Sequence, residues 1–289
     1  MAYAFHRDDR SPDHSLRRIA TEELSTALNR FEAVPAPEAI HGIRKNLKKT
    51  RALLRLFRSA LPEQPAANAV LREVAAALSA RRDAAVRLAT FDRLFPEPPE
   101  ALQPLRIRLV ADSLAPAQDI PHGLSERLSD LRDQAATWRL QGKPHRALKD
   151  GLARTRRKAR QACDAARKAP ERADLVHEWR KRVKDLWYQT RLVVPVWPDL
   201  FRVLTAEADA LGEALGNHND LAILANHLAV LPEDLLPGPA RDLVQAQIDQ
   251  ARSDILARAF PASDRLLAGD PEAMADTWVA WLKLWHRSR

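Results

Sequence analysis

From His41 to Arg58 the sequence reads HGIRKNLKKTRALLRLFR, with seven lysines and arginines and no carboxylate. At about 100° per residue of α-helix, His41, Arg44, Lys45, Lys48, Arg51 and Arg55 share one side, and Ile43, Leu47, Leu54 and Phe57 share the other. Arginine brings forked donors to phosphate oxygens, lysine a point charge, and histidine a donor whose protonation an anion favours. The chemistry offered is anion binding. A second segment, HEWRKRVKDLWYQTR, repeats the spacing with His177, Arg180, Lys181, Lys184 and Arg191. The row from position 41 to position 55 spans about 21 Å at ~1.5 Å per residue, long enough to meet several groups of a linear polyanion.

Solvated helix faces normally mix charge signs in i to i+4 pairs, whereas here like charges crowd adjacent turns, twice. Asp83 and Asp220 stand at equivalent places after the two stripes and are expected to act as supporting carboxylates; they are too few to neutralise a stripe. A metal is not expected, because the positions one turn from each histidine are Arg44, Lys45, Arg180 and Lys181, which oppose a cation. His218 lies beside Asp220, but its counterpart is Arg81. No phosphate-binding glycine loop, dinucleotide turn, nucleophile elbow or Cys/His nucleophile arrangement occurs, and the stripes hold no acids for Mg²⁺. This favours binding without turnover, with no catalytic residue and no cofactor expected, over a metal-dependent phosphohydrolase. Net charge +8 and a pI near 10.0 suit nucleic acid too. Single-strand binders, however, interleave stacking aromatics with the charges, and only the second stripe has neighbours of that kind, Trp187 and Tyr188. A linear chain of phosphates fits the row better, with backbone-only nucleic-acid binding as the alternative.

The elements that position these rows are punctuated by proline, which is costly inside a helix and common at its first turn. The spacing predicts an all-α chain with helices over about 12–33, 37–60, 65–95, 100–115, 123–140, 145–168, 171–194, 199–230, 239–260 or a little beyond, and 272–287. Gly142 is the expected C-cap of the fifth. His41 and His177 are 136 positions apart, and Leu61-Pro62-Glu63 precedes Trp197-Pro198-Asp199 by the same offset. A duplicated unit is expected, residues 1–142 and 143–289. The single cysteine, Cys163, leaves no intrachain disulfide and reads as a helix-packing residue. The charged opening and the lack of any run of about 18 apolar residues predict a cytoplasmic protein with no membrane span.

His41-x-x-Arg44-Lys45-x-x-Lys48 and His177-x-x-Arg180-Lys181-x-x-Lys184, with the later segments ending in Asp83 and Asp220, resemble the CHAD domain family over residues 10–285 or so. The resemblance implies two four-helix bundles related by a pseudo-twofold axis, with basic helix faces lining a shared groove. It implies inorganic polyphosphate as ligand and association with polyphosphate granules, with granule proteins as further partners; an older family proposal was metal chelation by the histidines. The sequence is similar to stand-alone members, without the CYTH domain that many carry. Carried over, the groove residues are the six of the first stripe and the five of the second, with Arg17, Arg18, Arg154 and Arg157 extending it from the opening helix of each half. Arg51 is matched by Trp187 and Lys49 by Asp185, which implies a looser hold in the second half.

Overall fold

The computed structural model describes residues 3–32, 37–78, 82–114 and 123–288. Eleven α-helices and a 3-10 turn are found among them, and no strand: α1 Pro12–Glu32, α2 Pro37–Leu56, α3 Gln64–Ala77, α4 Arg82–Leu94, the turn Glu100–Leu102, α5 Gln103–Leu114, α6 Leu124–Ala135, α7 Pro144–Lys168, α8 Ala173–Val193, α9 Pro198–Leu228, α10 Gly238–Leu266 and α11 Pro271–Arg287. Proline occupies the first turn of α3, α7, α9, α10 and α11, where its missing N–H has no partner to lose.

The packing forms two sets of four. In the first, α1 lies on α2 and α6, and α3 lies on the same two helices; in the second, α7, α8, α9 and α10 close a ring. Helix α4 joins α5 to α9, and α11 covers α7. One core runs from Leu16, Ile19 and Leu24 of α1 through Ile43, Leu47 and Phe57 to Phe201 and Trp278. A second gathers Trp179, Val183 and Leu215 with the buried Cys163. Trp179 stacks on Phe260 with ring centroids 5.1 Å apart, a pairing that contributes about 1 kcal/mol beyond its burial.

Three expectations change. The helix expected over 65–95 is two, α3 closing at Leu78, whose N–H bonds the Val74 carbonyl at 3.2 Å. Helix α6 stops at Ala135 because the following backbone is engaged elsewhere: Leu140 N–H donates to Asp13 Oδ1 at 2.6 Å and Gln141 N–H to the Ala60 carbonyl at 2.7 Å. Gly142, with φ +77°, therefore turns the chain into α7 instead of capping α6. Helix α10 continues through Pro261 to Leu266; the carbonyl that the proline deprives of its bond belongs to exposed Ala257.

Candidate anion-binding site

The two stripe helices meet directly, α2 against α8. Buried Ile43 and Leu47 anchor α2, and Val176, Trp179 and Val183 anchor α8, which fixes the outward direction of the basic rows. Arg55 donates through Nε to Asp185 Oδ1 at 2.8 Å, and its Nη2 reaches the same oxygen. Arg182 Nη1 lies 3.1 Å from Asp185 Oδ2. The position where the repeat exchanges Lys49 for an acid thus ties the stripe helices together.

Further along α2 the row leans on α3. Arg51 Nε donates to Asn68 Oδ1 at 3.1 Å and Arg44 Nη1 to the Ala75 carbonyl at 3.1 Å. Burial lowers the Arg51 pKa, and the charges of Arg55, Arg72 and Arg182 add to that against the opposing effect of Asp185. His41, Lys45 and Lys48 are exposed, and neither His41 nor Lys45 makes an ion pair among the described residues.

The α8 row lies along α9, and two glycines make room for it. A Cβ at Gly212 would stand 3.0 Å from Lys184 Cδ, and one at Gly216 3.1 Å from Arg180 Nε. Lys184 Nζ bonds Asp209 Oδ1 at 3.0 Å and Glu213 Oε1 at 2.7 Å, and sits 4.4 Å from the centre of the Trp187 ring. The hydrogen bond from Lys184 holds the Glu213 carboxyl below the usual carboxylate range despite partial burial, and the charges of Arg180 and Lys48 act in the same direction. The charges of both stripes are therefore felt at one acid. Arg180 Nε is buried with no hydrogen-bond partner. Lys181 pairs with Glu178. Arg191 lies over the Trp187 and Tyr3 rings at 4.9 and 5.8 Å, a cation–π arrangement and not an open phosphate donor.

His177 is half-buried, and burial lowers its pKa; Lys181 and Arg180 reinforce the shift, while a hydrogen bond with Asn219 opposes it. Its Nδ1 is buried without a partner. Burial likewise pushes His218 down to about 4, with the charge of Arg252 adding to it, and Arg252 Nε lies 3.2 Å from His218 Nε2. Among the described residues no group of three or more His, Cys, Asp or Glu side chains is placed to hold a metal.

The opening helices behave differently from the stripes. Arg17 bonds Asp13 at 2.6 Å and the Trp138 carbonyl at 3.0 Å. Arg18 grips Asp9 through Nη2 and Nε at 2.7 and 2.9 Å. Arg157 lies 2.8 Å from Glu272 of α11. These three are held in internal ion pairs and are not brought to the groove. Arg154 binds the carbonyls of Arg55 and Leu56 at 3.1 and 3.0 Å. Asp220 is half-buried and makes no ion pair among the described residues; the side chain of Asp83 lies outside the described residues. Among the described residues, the carboxylates that pair with the basic rows are Glu178, Asp185, Asp209 and Glu213. A signal for two of them was present in Asp209-x-x-Gly212-Glu213-x-x-Gly216, small and acidic residues sharing a helix face.

The CHAD domain family's sequence pattern matches residues 17–229. Among solved structures, that of the CHAD domain from the plant Ricinus communis is similar, with a TM-score of 0.59 and 19% identity over 97% of this chain and 95% of that one. No curated protein matches the chain.

Proposed function

The chain belongs to the CHAD domain family, and on that premise we propose that it binds inorganic polyphosphate, without turning it over, on the basic surface that α2 and α8 share. The observation that carries this is the direct packing of the two basic helices, tied together by Arg55 and Asp185, which sets the row of α2 beside that of α8, where Lys184 is held by the carboxylate of Glu213. An extended polyanion lying across both helices replaces that single carboxylate with many charged oxygens. Arg44, Lys45, Lys48 and Arg51 supply the contacts from α2, and His177, Arg180, Lys181 and Lys184 those from α8. Trp187 offers its ring to the cations beside it, in place of the arginine that the first stripe has there. Retention at polyphosphate granules is the setting that this binding supports. No helix among the described residues is long and apolar enough to cross a membrane.

Competition at fixed salt tests the reading. Long-chain polyphosphate should resist displacement by duplex DNA or RNA at equal phosphate concentration, and its affinity should fall with salt as counterion release requires. Displacement by nucleic acid at comparable phosphate concentration would favour the nucleic-acid alternative. Release of orthophosphate in the presence of Mg²⁺ or Mn²⁺ would overturn the non-catalytic part.

A further inference from the structure

A second basic feature lies around the corner of α8. Arg55, Arg58, Arg154, Lys158 and Arg182 line a pocket of about 250 Å³ between α2, α7 and α8, facing the carboxylates of Glu178 and Asp185. On α8, the positions that reach this pocket are rotated by about 110° from the stripe, so it opens on a different face.

Most of the lining is already engaged. Asp185 is shared by Arg55 and Arg182, Glu178 by Lys181 and Arg182, and Arg154 binds carbonyls that the last turn of α2 leaves unpaired. Arg58 and Lys158 are exposed and make no ion pair or hydrogen bond among the described residues. The cationic excess is concentrated on these two. At the positions 136 earlier the corresponding place is filled: Arg18 is bound to Asp9, Glu22 and the Ala4 carbonyl, and Tyr3 Oη donates to the Lys49 carbonyl at 3.2 Å. The chain's own opening residues occupy one such place and leave the other open.

The pocket is smaller than the roughly 300–1,000 Å³ of sites for drug-sized ligands, and its donors converge instead of forming a row. A terminal phosphoryl group carries a second ionisable oxygen with a pKa of about 6, so it is more highly charged than an interior phosphate. We propose that this pocket binds the terminal phosphoryl group of an oligophosphate, through Arg58 and Lys158, separately from the stripes. Two sources share that chemistry, a free short oligophosphate and the end of a long chain; only the second rests on the function proposed above.

Calorimetric titration with inorganic tripolyphosphate tests the pocket. Arg58→Ala/Lys158→Ala should weaken binding at least about tenfold, as loss of charged hydrogen bonds requires, and Lys158→Glu should weaken it further. Neither side chain has a partner to lose, so the fold should stand. On the background of the stripe variant Arg44→Ala/Lys48→Ala/Arg180→Ala/Lys184→Ala, which removes whatever tripolyphosphate the rows hold, Arg58→Ala/Lys158→Ala should still weaken tripolyphosphate binding about tenfold. No binding by the unaltered protein, or equal binding by the pocket variants, overturns the assignment, whatever long chains do on the stripes. Long-chain polyphosphate with its ends capped as phosphoramidates separates the sources. Retention weakened as much as by Arg58→Ala/Lys158→Ala identifies the chain end; retention unaltered by capping, with tripolyphosphate still bound, rejects the chain end and leaves the free oligophosphate.

Discussion

Arg55 of α2 and Asp185 of α8 form a hydrogen-bonded ion pair, 2.8 Å from Nε to Oδ1, that joins the two basic helices at their crossing. Asp185 is buried and also takes Arg182, so its removal leaves Arg55 without its counter-charge and Arg182 with Glu178 alone. Breaking a buried pair costs about 3–5 kcal/mol, less where one partner is partly solvated, as Arg55 is. Asp185→Asn is expected to lower stability by about 2–3 kcal/mol in urea denaturation; a loss below about 0.5 kcal/mol would place the pair among ordinary surface bridges.

Helix α7 crosses the end of α2 at Gly151, where an added Cβ would overlap the carbonyl oxygen of Leu56. That carbonyl also receives Arg154 Nη2. Gly151→Ala should therefore cost about 2–3 kcal/mol of stability by urea denaturation, although alanine normally favours a helix over glycine. A stabilised variant would mean that the crossing has room to spare.

Glu213 and Asp209 hold Lys184 in the absence of a polyanion. Any polyphosphate reaching Lys184 competes with them. Glu213→Gln should tighten polyphosphate binding by about twofold to fivefold at low salt, the size of an exposed ion pair. An unchanged dissociation constant would remove Lys184 from the surface that polyphosphate meets.

His218 is buried, and burial depresses its pKa to about 4 from the ordinary imidazole value of about 6.5. Between those values the unfolded chain binds a proton that the folded chain does not, so stability rises with pH across that window. Its contribution is complete above about pH 6.5 and is lost as pH falls toward 4, by no more than about 1.4 kcal/mol per pH unit. Thermal denaturation at pH 7.5, 6 and 5 should show a smaller decline in His218→Gln than in the unaltered protein. Parallel declines would assign the acid sensitivity to other groups.

The sequence disclosed most where local chemistry decides. Pro12, Pro37, Pro144, Pro198 and Pro271 each stand at the first position of a helix, because fixed φ and the absent N–H act within one turn. The two basic helices were legible for the same reason, since their charge and apolar periodicity need no partner to be seen. What decides the site is non-local. The end of α6 depends on Asp13, 127 residues before the backbone group it binds. Arg17, Arg18 and Arg157 resemble groove residues by type, yet Asp13, Asp9 and Glu272 claim them in three dimensions. Asp209 and Glu213 become visible as partners of Lys184 only when α8 lies along the glycines of α9. Lys158 and Arg58 have no shared motif, and only the crossing of three helices places them in one pocket.

The central claim is that one polyanion lies across both stripes. Replacing Arg44, Lys48, Arg180 and Lys184 together by alanine, and measuring retention of long-chain polyphosphate beside helicity by circular dichroism, tests it most directly. The account predicts that retention is abolished while helicity is kept. Retention unchanged in a fully helical variant would contradict it.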